Sequence, residues 1–210
     1  MKTVSLTFLA LLAFAGNSVL CRLALYDDHI DAASFTIIRL LSGTVVLWLL
    51  LLINQRKLCA SSRSMSDVLR SCRHAFYIPK VWLAPLVLFL YAALFSFAYR
   101  LLDTGVGALL LFGAVQITMI GMAVYHGKRL HWQEWFGAIL AFSGLVYLLL
   151  PSLGEQTAAS ISLLGAGMMI IAGVAWGLYS IQGRGSDKPL EDTANNFLKT
   201  LPFVILLLVA

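Results

Sequence analysis

From Thr104 to Tyr125 the chain reads TGVGALLLFGAVQITMIGMAVY, a run of 22 residues without a charged side chain. A helix of that length extends about 33 Å at 1.5 Å per residue, enough to cross a hydrocarbon layer roughly 30 Å thick. Few soluble folds can accommodate such a stretch, so the rest of the chain is read around a membrane span. Gly107, Ala114 and Gly121 recur every seventh position and share one helical face, where another backbone can approach closely. Gln116 lies away from that seam, and an amide in hydrocarbon needs partners, so a neighbouring helix or a watery cavity is expected beside it. A second uncharged run, Trp135 to Leu150, carries Gly137, Ala141 and Gly144 on one face. The two small faces predict a helical hairpin, with these six residues as packing positions.

Composition extends the membrane reading to the whole chain. Of 210 residues 60% are hydrophobic and 12% charged, with a mean hydropathy of +0.87, whereas soluble domains carry about 25% charged residues. The expected class is all-α: a multipass helical bundle in the lipid bilayer. The net charge of +5 does not make a nucleic-acid partner, because the basic residues sit mostly in loops between apolar runs. Cys21, Cys59 and Cys72 form no CxxC pair, and His29, His74, His126 and His131 lie in or beside loops. With no phosphate loop and no HExxH either, neither enzymatic chemistry, a metal nor a cofactor is expected.

In chain order, Thr3 to Cys21 is just long enough to span, and Ala13-Phe14-Ala15 within it also has the small-x-small form of a signal-peptide cleavage site. The apolar character continues past that point and further spans follow, which favours a retained helix. Ala32 to Ile53 carries one charge, Arg39, in its third turn. Either Arg39 snorkels to the headgroups or it faces a pathway. The polar segment 54–80 holds six Lys and Arg against a single acid, Asp67. Within it Met65, Val68, Leu69, Cys72 and Phe76 form an apolar stripe suited to a helix on an anionic leaflet or to a plain basic linker. Val81 to Tyr99 is the third span, with Pro85 in its first turn, and only residues 100–103 separate it from the central helix, which predicts a tight antiparallel pair. Tyr91, Phe95 and Tyr99 share a face, as packing or as a binding wall. Residues 151–160 form a loop before a sixth run, Ile161 to Ile181. Lys2, the 54–80 loop, Lys128-Arg129 and Arg184-Lys188 fall on one side; Asp27, Asp28, Asp31, Asp103 and Glu155 fall on the other. The amino terminus is therefore expected in the cytoplasm, and the protein in the inner membrane.

A small-residue helix ending at Gly127, Arg129 and Leu130, then Gln133, Trp135, Gly137 and Ala138, then Gly144 and Val146, resembles the end of the first half of EamA-type transporters of the drug/metabolite transporter superfamily. Gly16-Asn17-Ser18 with Arg22-Leu23-Ala24-Leu25 is similar to their first helix, and Arg39 falls where they often carry Arg. The chain departs at Lys128, where the family usually has Glu, and at Ala15, where it usually has Trp. The resemblance implies ten helices in two inverted five-helix halves, moving a small organic metabolite by alternating access. A shift of 160 residues sets Ile30-Asp31 over Leu190-Glu191 and Arg39 over Lys199, with Ala15-Gly16 near Trp176-Gly177. Five helices before that restart would invert the second copy. On this reading residues 1–150 form the first repeat and 161–210 the truncated start of the second, giving about six complete spans and a partial seventh. From Asn195 to Ala210 only 16 residues remain, so three more helices, about 75 to 90 residues, are needed to complete the repeat.

The few polar or aromatic groups at membrane depth make Asn17, Arg39, Gln116, Trp176 and Tyr179 the substrate-pathway candidates, with Gln116 expected to be the most exposed to substrate. The fixed charge of Arg39 favours an anionic or zwitterionic, amino-acid-like solute over a cationic one. Export is the expected direction. A non-transporting remnant or interaction subunit, and a small homodimeric exporter, are the alternatives.

Overall fold

The computed structural model describes residues 2–26, 30–58, 82–154 and 162–209. Within them are seven helices and no strand: α1 (Lys2–Tyr26), α2 (Ala32–Leu58), α3 (Leu83–Leu101), α4 (Thr104–Tyr125), α5 (Trp132–Gly154), α6 (Leu163–Gln182) and α7 (Pro189–Val209). Five of them, α1, α2, α3, α4 and α6, are long and apolar enough to cross a membrane. The protein is an all-helical chain of membrane character. The basic segment 59–81, with its amphipathic stripe, lies outside the described residues.

The bounds of α4 follow from local chemistry. Asp103, in extended conformation, precedes the helix, and its carbonyl accepts from Gly107 N at 2.8 Å. At the other end Gly127 adopts φ +84°, which a side chain would strain. Lys128 N then reaches Ala123 O at 3.0 Å and Gly127 N reaches Val124 O at 2.9 Å, the two bonds of a Schellman termination. Lys128 Nζ turns to Glu134 Oε1 at 2.7 Å while His131 N donates to Glu134 Oε2 at 3.0 Å, closing the turn onto α5. The Lys128 hydrogen bond, then that of His131, holds the Glu134 carboxyl below the usual carboxylate range.

Two helices exceed the lengths that the sequence predicts. α5 starts at Trp132 and continues through Pro151 to Gly154, so residues 151–154, expected in a loop, are helical, and the rest of that expected loop lies outside the described residues. α7 starts at Pro189, well before the apolar run at Leu201, and passes through Pro202 as a continuous helix of 21 residues. A proline costs a helix one hydrogen bond, and neighbouring helices and local adjustment make up for it in membrane bundles.

The packing order also departs from chain order. α3 and α4 touch each other little, as do α4 and α5, so neither expected hairpin is a packed pair. α6 takes the expected partner's place, in extensive contact with both α3 and α4. Its glycines are the reason. A Cβ on Gly173 would stand 2.6 Å from Ala114 Cβ and 2.6 Å from Leu111 O, and one on Gly177 would stand 2.9 Å from Thr118 Cβ. Backbones that approach so closely gain dispersion contacts no lipid tail supplies. Gly107 and Ala114 are buried as expected, but against Tyr99, Met169 and Gly173. Gly121, Gly137, Ala141 and Gly144 are exposed, and a Cβ added to any of the three glycines would meet nothing within 4 Å. The α4–α5 small-residue seam therefore does not form.

The remaining helices pair as α2 with α7, and α1 lies mainly against α3. Toward the end of the bundle where α1 and α3 finish and α2 and α4 begin, packing is dense. Cys21, Leu25, Ala32, Thr36, Phe95, Tyr99 and Leu102 are all buried there. Arg22 ties α1 across that end, donating to Tyr99 O at 2.6 Å and meeting Asp103 Oδ1 at 3.4 Å. Buried hydroxyls such as Thr36, Thr44 and Ser96 are satisfied within their own helices, by carbonyls four residues back at 2.7, 2.7 and 2.8 Å.

Candidate functional site: a cavity lined by Arg39

Below the dense end, the bundle opens into a cavity of about 520 Å³. α1 contributes Phe14 and Asn17; α2 contributes Arg39, Leu40 and Gly43; α3 contributes Leu88 and Tyr91. Trp176 and Tyr179 come from α6, and Thr193 and Phe197 from α7. Tyr179 and Thr193 lie within about one turn of the ends of α6 and α7, so the cavity extends toward that end, while Phe95 and Tyr99, both 0% exposed, belong to the densely packed end opposite.

Arg39 is half-buried and reaches this space from the face of α2 that turns toward the bundle. Its Nη2 donates to the Tyr91 hydroxyl at 3.1 Å. The guanidinium carbon lies 5.2 Å from the centre of the Tyr91 ring and 4.9 Å from that of Phe95. A mid-membrane arginine costs roughly 2.5 to 3.5 kcal/mol on insertion scales. Each ring face offsets about 0.5 to 2 kcal/mol of that, and a hydrogen bond to a charged group about 1.5 to 3. Nη1 is buried with no hydrogen-bond partner. Among the described residues Arg39 is the one formally charged side chain of the lining, and none of them brings a carboxylate to it.

The aromatic wall is continuous. Trp176 lies 4.7 Å from Tyr91, 5.7 Å from Tyr179 and 6.1 Å from Phe14 between ring centres. Gly43 admits the edge of Phe197, since a Cβ there would stand 2.6 Å from that ring. Asn17 turns its carbonyl oxygen toward Cys21 Sγ at 3.9 Å, a weak contact that leaves most of its amide free for the cavity.

Four of the five residues expected from sequence thus share one cavity: Asn17, Arg39, Trp176 and Tyr179. Gln116 does not. It sits on an exposed face of α4, the opposite of the substrate-facing place expected for it, because the close approach of α6 turns the Gly107 and Ala114 face inward. Nothing in the sequence singles out Phe14, Thr193 or Phe197, and only Tyr91 among the added lining residues carries a signal, its aromatic face at helical spacing. Among the described residues no cluster of His, Cys, Asp or Glu could hold a metal.

No family model matches the chain, and no solved structure does. It is similar to an uncharacterized protein of Pseudomonas aeruginosa. The two are 46% identical over 209 residues, covering 100% of this chain and 65% of the relative. The chain thus spans under two thirds of the length of the protein it matches.

Proposed function

We propose that the chain is the membrane bundle of a transporter for small organic metabolites, with the cavity around Arg39 as its solute site. The observation that carries this reading is a half-buried, incompletely paired arginine lining a cavity in a chain of apolar helices. An ionisable group held at membrane depth marks a solute or ion path more often than a packing site. The cavity extends toward one end of the bundle and the other end is densely packed, a form compatible with one state of alternating access.

The resemblance to EamA-type transporters supports the same reading, with two inverted halves, about six complete spans and α7 as the seventh. Under the 160-residue shift α2 and α7 are corresponding helices, and they pack against each other in the bundle. The amino terminus is cytoplasmic in the inner membrane, so the cavity faces the cytoplasm and the Arg22–Asp103 end faces outward. In intact cells an impermeant maleimide should leave Cys59 and Cys72 unlabelled until the membrane is permeabilised; Cys21 is buried and adds little background. Labelling of either loop cysteine from outside would reverse the topology.

Transport is tested by counterflow in proteoliposomes with a panel of labelled amino acids and organic acids. At matched incorporation, Arg39→Gln should reduce exchange of the accepted solute at least tenfold, and Ile139→Ala, on the exposed face of α5, should not. Exchange no faster than in empty liposomes across the panel would refute the transporter reading.

A further inference from the structure

We propose that the cavity takes an organic monoanion with an apolar, ring-sized body, its carboxylate paired with the Arg39 guanidinium and its body against Trp176, Tyr179 and Phe197. This rests on the cavity being a solute site and narrows its ligand from an anion or zwitterion to an anion alone.

The headgroup follows from how Arg39 is held. Guanidinium does not lose its proton in proteins, so its charge cannot be relieved by titration. One edge is fixed by the Tyr91 hydroxyl at 3.1 Å, and the Tyr91 and Phe95 rings fix its orientation. Nη1 is closed off from solvent and has no hydrogen-bond acceptor, and Arg39 lines the cavity with its charge unpaired by any carboxylate among the described lining residues. A ligand carrying one negative charge balances that charge. Carboxylate does so in the planar geometry that guanidinium matches best.

The limits on the ligand follow from what else lines the cavity. With a single formal positive charge among the described residues of the lining, a dianion such as a phosphate monoester would leave one charge unbalanced in an apolar site. A zwitterion would need an acceptor for its ammonium, and no carboxylate among the described residues lines the cavity. The remaining surface is mostly ring faces and aliphatic carbon, which suit an apolar body. About 520 Å³ lies within the range of roughly 300 to 1,000 Å³ that small organic ligands occupy.

The test uses the full chain purified in detergent, titrated calorimetrically with benzoate, phenylalanine, benzylamine, benzyl alcohol, acetate and inorganic phosphate. Benzoate should bind saturably and at least tenfold more tightly than any of the others. Arg39→Gln should lose at least tenfold in benzoate affinity, while Arg39→Lys keeps the charge, lacks the planar fork and falls between. Comparing the six probes on the unmodified chain decides the matter even if the variants do not fold. Equal binding of phenylalanine or benzylamine, or benzoate binding unaffected by Arg39→Gln, would overturn the proposal. Benzoate binding without any flux in proteoliposomes would uphold this site and remove the transport reading. Flux of a zwitterion that benzoate does not inhibit would uphold transport and remove the monoanion site.

Discussion

Gly173→Leu should all but abolish folded protein. At this position even a Cβ would stand 2.6 Å from both Ala114 Cβ and the Leu111 carbonyl oxygen. Backbone cannot rotate away as a flexible side-chain tip can, so α4 and α6 would have to separate along their length. Adding methylenes to a tight core costs about 1 to 3 kcal/mol, and leucine adds a whole branched side chain to one of the closest contacts in the bundle. The monodisperse fraction recovered in mild detergent, and its thermal midpoint, provide the check: a steep loss in yield is expected for Gly173→Leu and a clearly lowered midpoint for Gly173→Ala. Gly144→Leu should change neither, since Gly144 is exposed with nothing within 4 Å of a Cβ. A normal yield for Gly173→Leu would mean that α6 does not lie between α3 and α4.

Phe95→Ala should be the most damaging truncation. Phe95 is 0% exposed, lies 4.7 Å from Tyr99 and 5.3 Å from Tyr91 between ring centres, and forms one of the two faces on which the Arg39 guanidinium rests. Loss of a buried aromatic ring costs about 3 to 5 kcal/mol in a water-soluble core. In a bilayer the transfer part is small, because lipid is as apolar as the core, and the lost contacts remain. A penalty on the order of 2 to 3 kcal/mol is therefore expected, read as the shift in unfolding free energy on titration with a denaturing detergent. A shift below about 0.5 kcal/mol would show that the dense end does not depend on this ring.

Much of this organisation is legible in the sequence where a single local cause dominates. Thr104 to Tyr125 is recovered to the residue, because Asp103 and Gly127 bracket an uncharged run and each has a local role. Membrane class follows just as directly from apolar length. Boundaries fail where a proline reads as a stop: Pro151 lies within α5 and Pro202 within α7. Partner choice fails for a different reason. Glycine spacing shows that a helix has a small face without naming the helix that meets it, and chain proximity points to α5 where the contact is α6. The signal is present in Gly165, Gly173 and Gly177, spaced eight and four residues apart on the sixth run.

The site divides along the same line. Asn17, Arg39, Trp176 and Tyr179 are conspicuous at membrane depth and do converge. Gln116 is equally conspicuous and does not, because rotation of α4 about its axis is set by Gly173 on another helix. Tyr91 is one of several tyrosines in the sequence, and its hydrogen bond to Arg39 spans 52 residues. Nothing in local spacing could announce it.

The uneven distribution of glycine contacts also divides the bundle mechanically. α6 is wedged between α3 and α4 and meets α4 through small side chains and backbone with little slack, whereas the cavity lies where α3 and α6 face α1, α2 and α7 across larger side chains. Interlocked backbones resist sliding, while side chains can change rotamer, so the first three helices form a stiff block and deformation concentrates at the cavity walls. Any rearrangement that reshapes the cavity would then move the α2–α7 pair relative to that block, with Gly43 and Phe197 travelling together within the moving half.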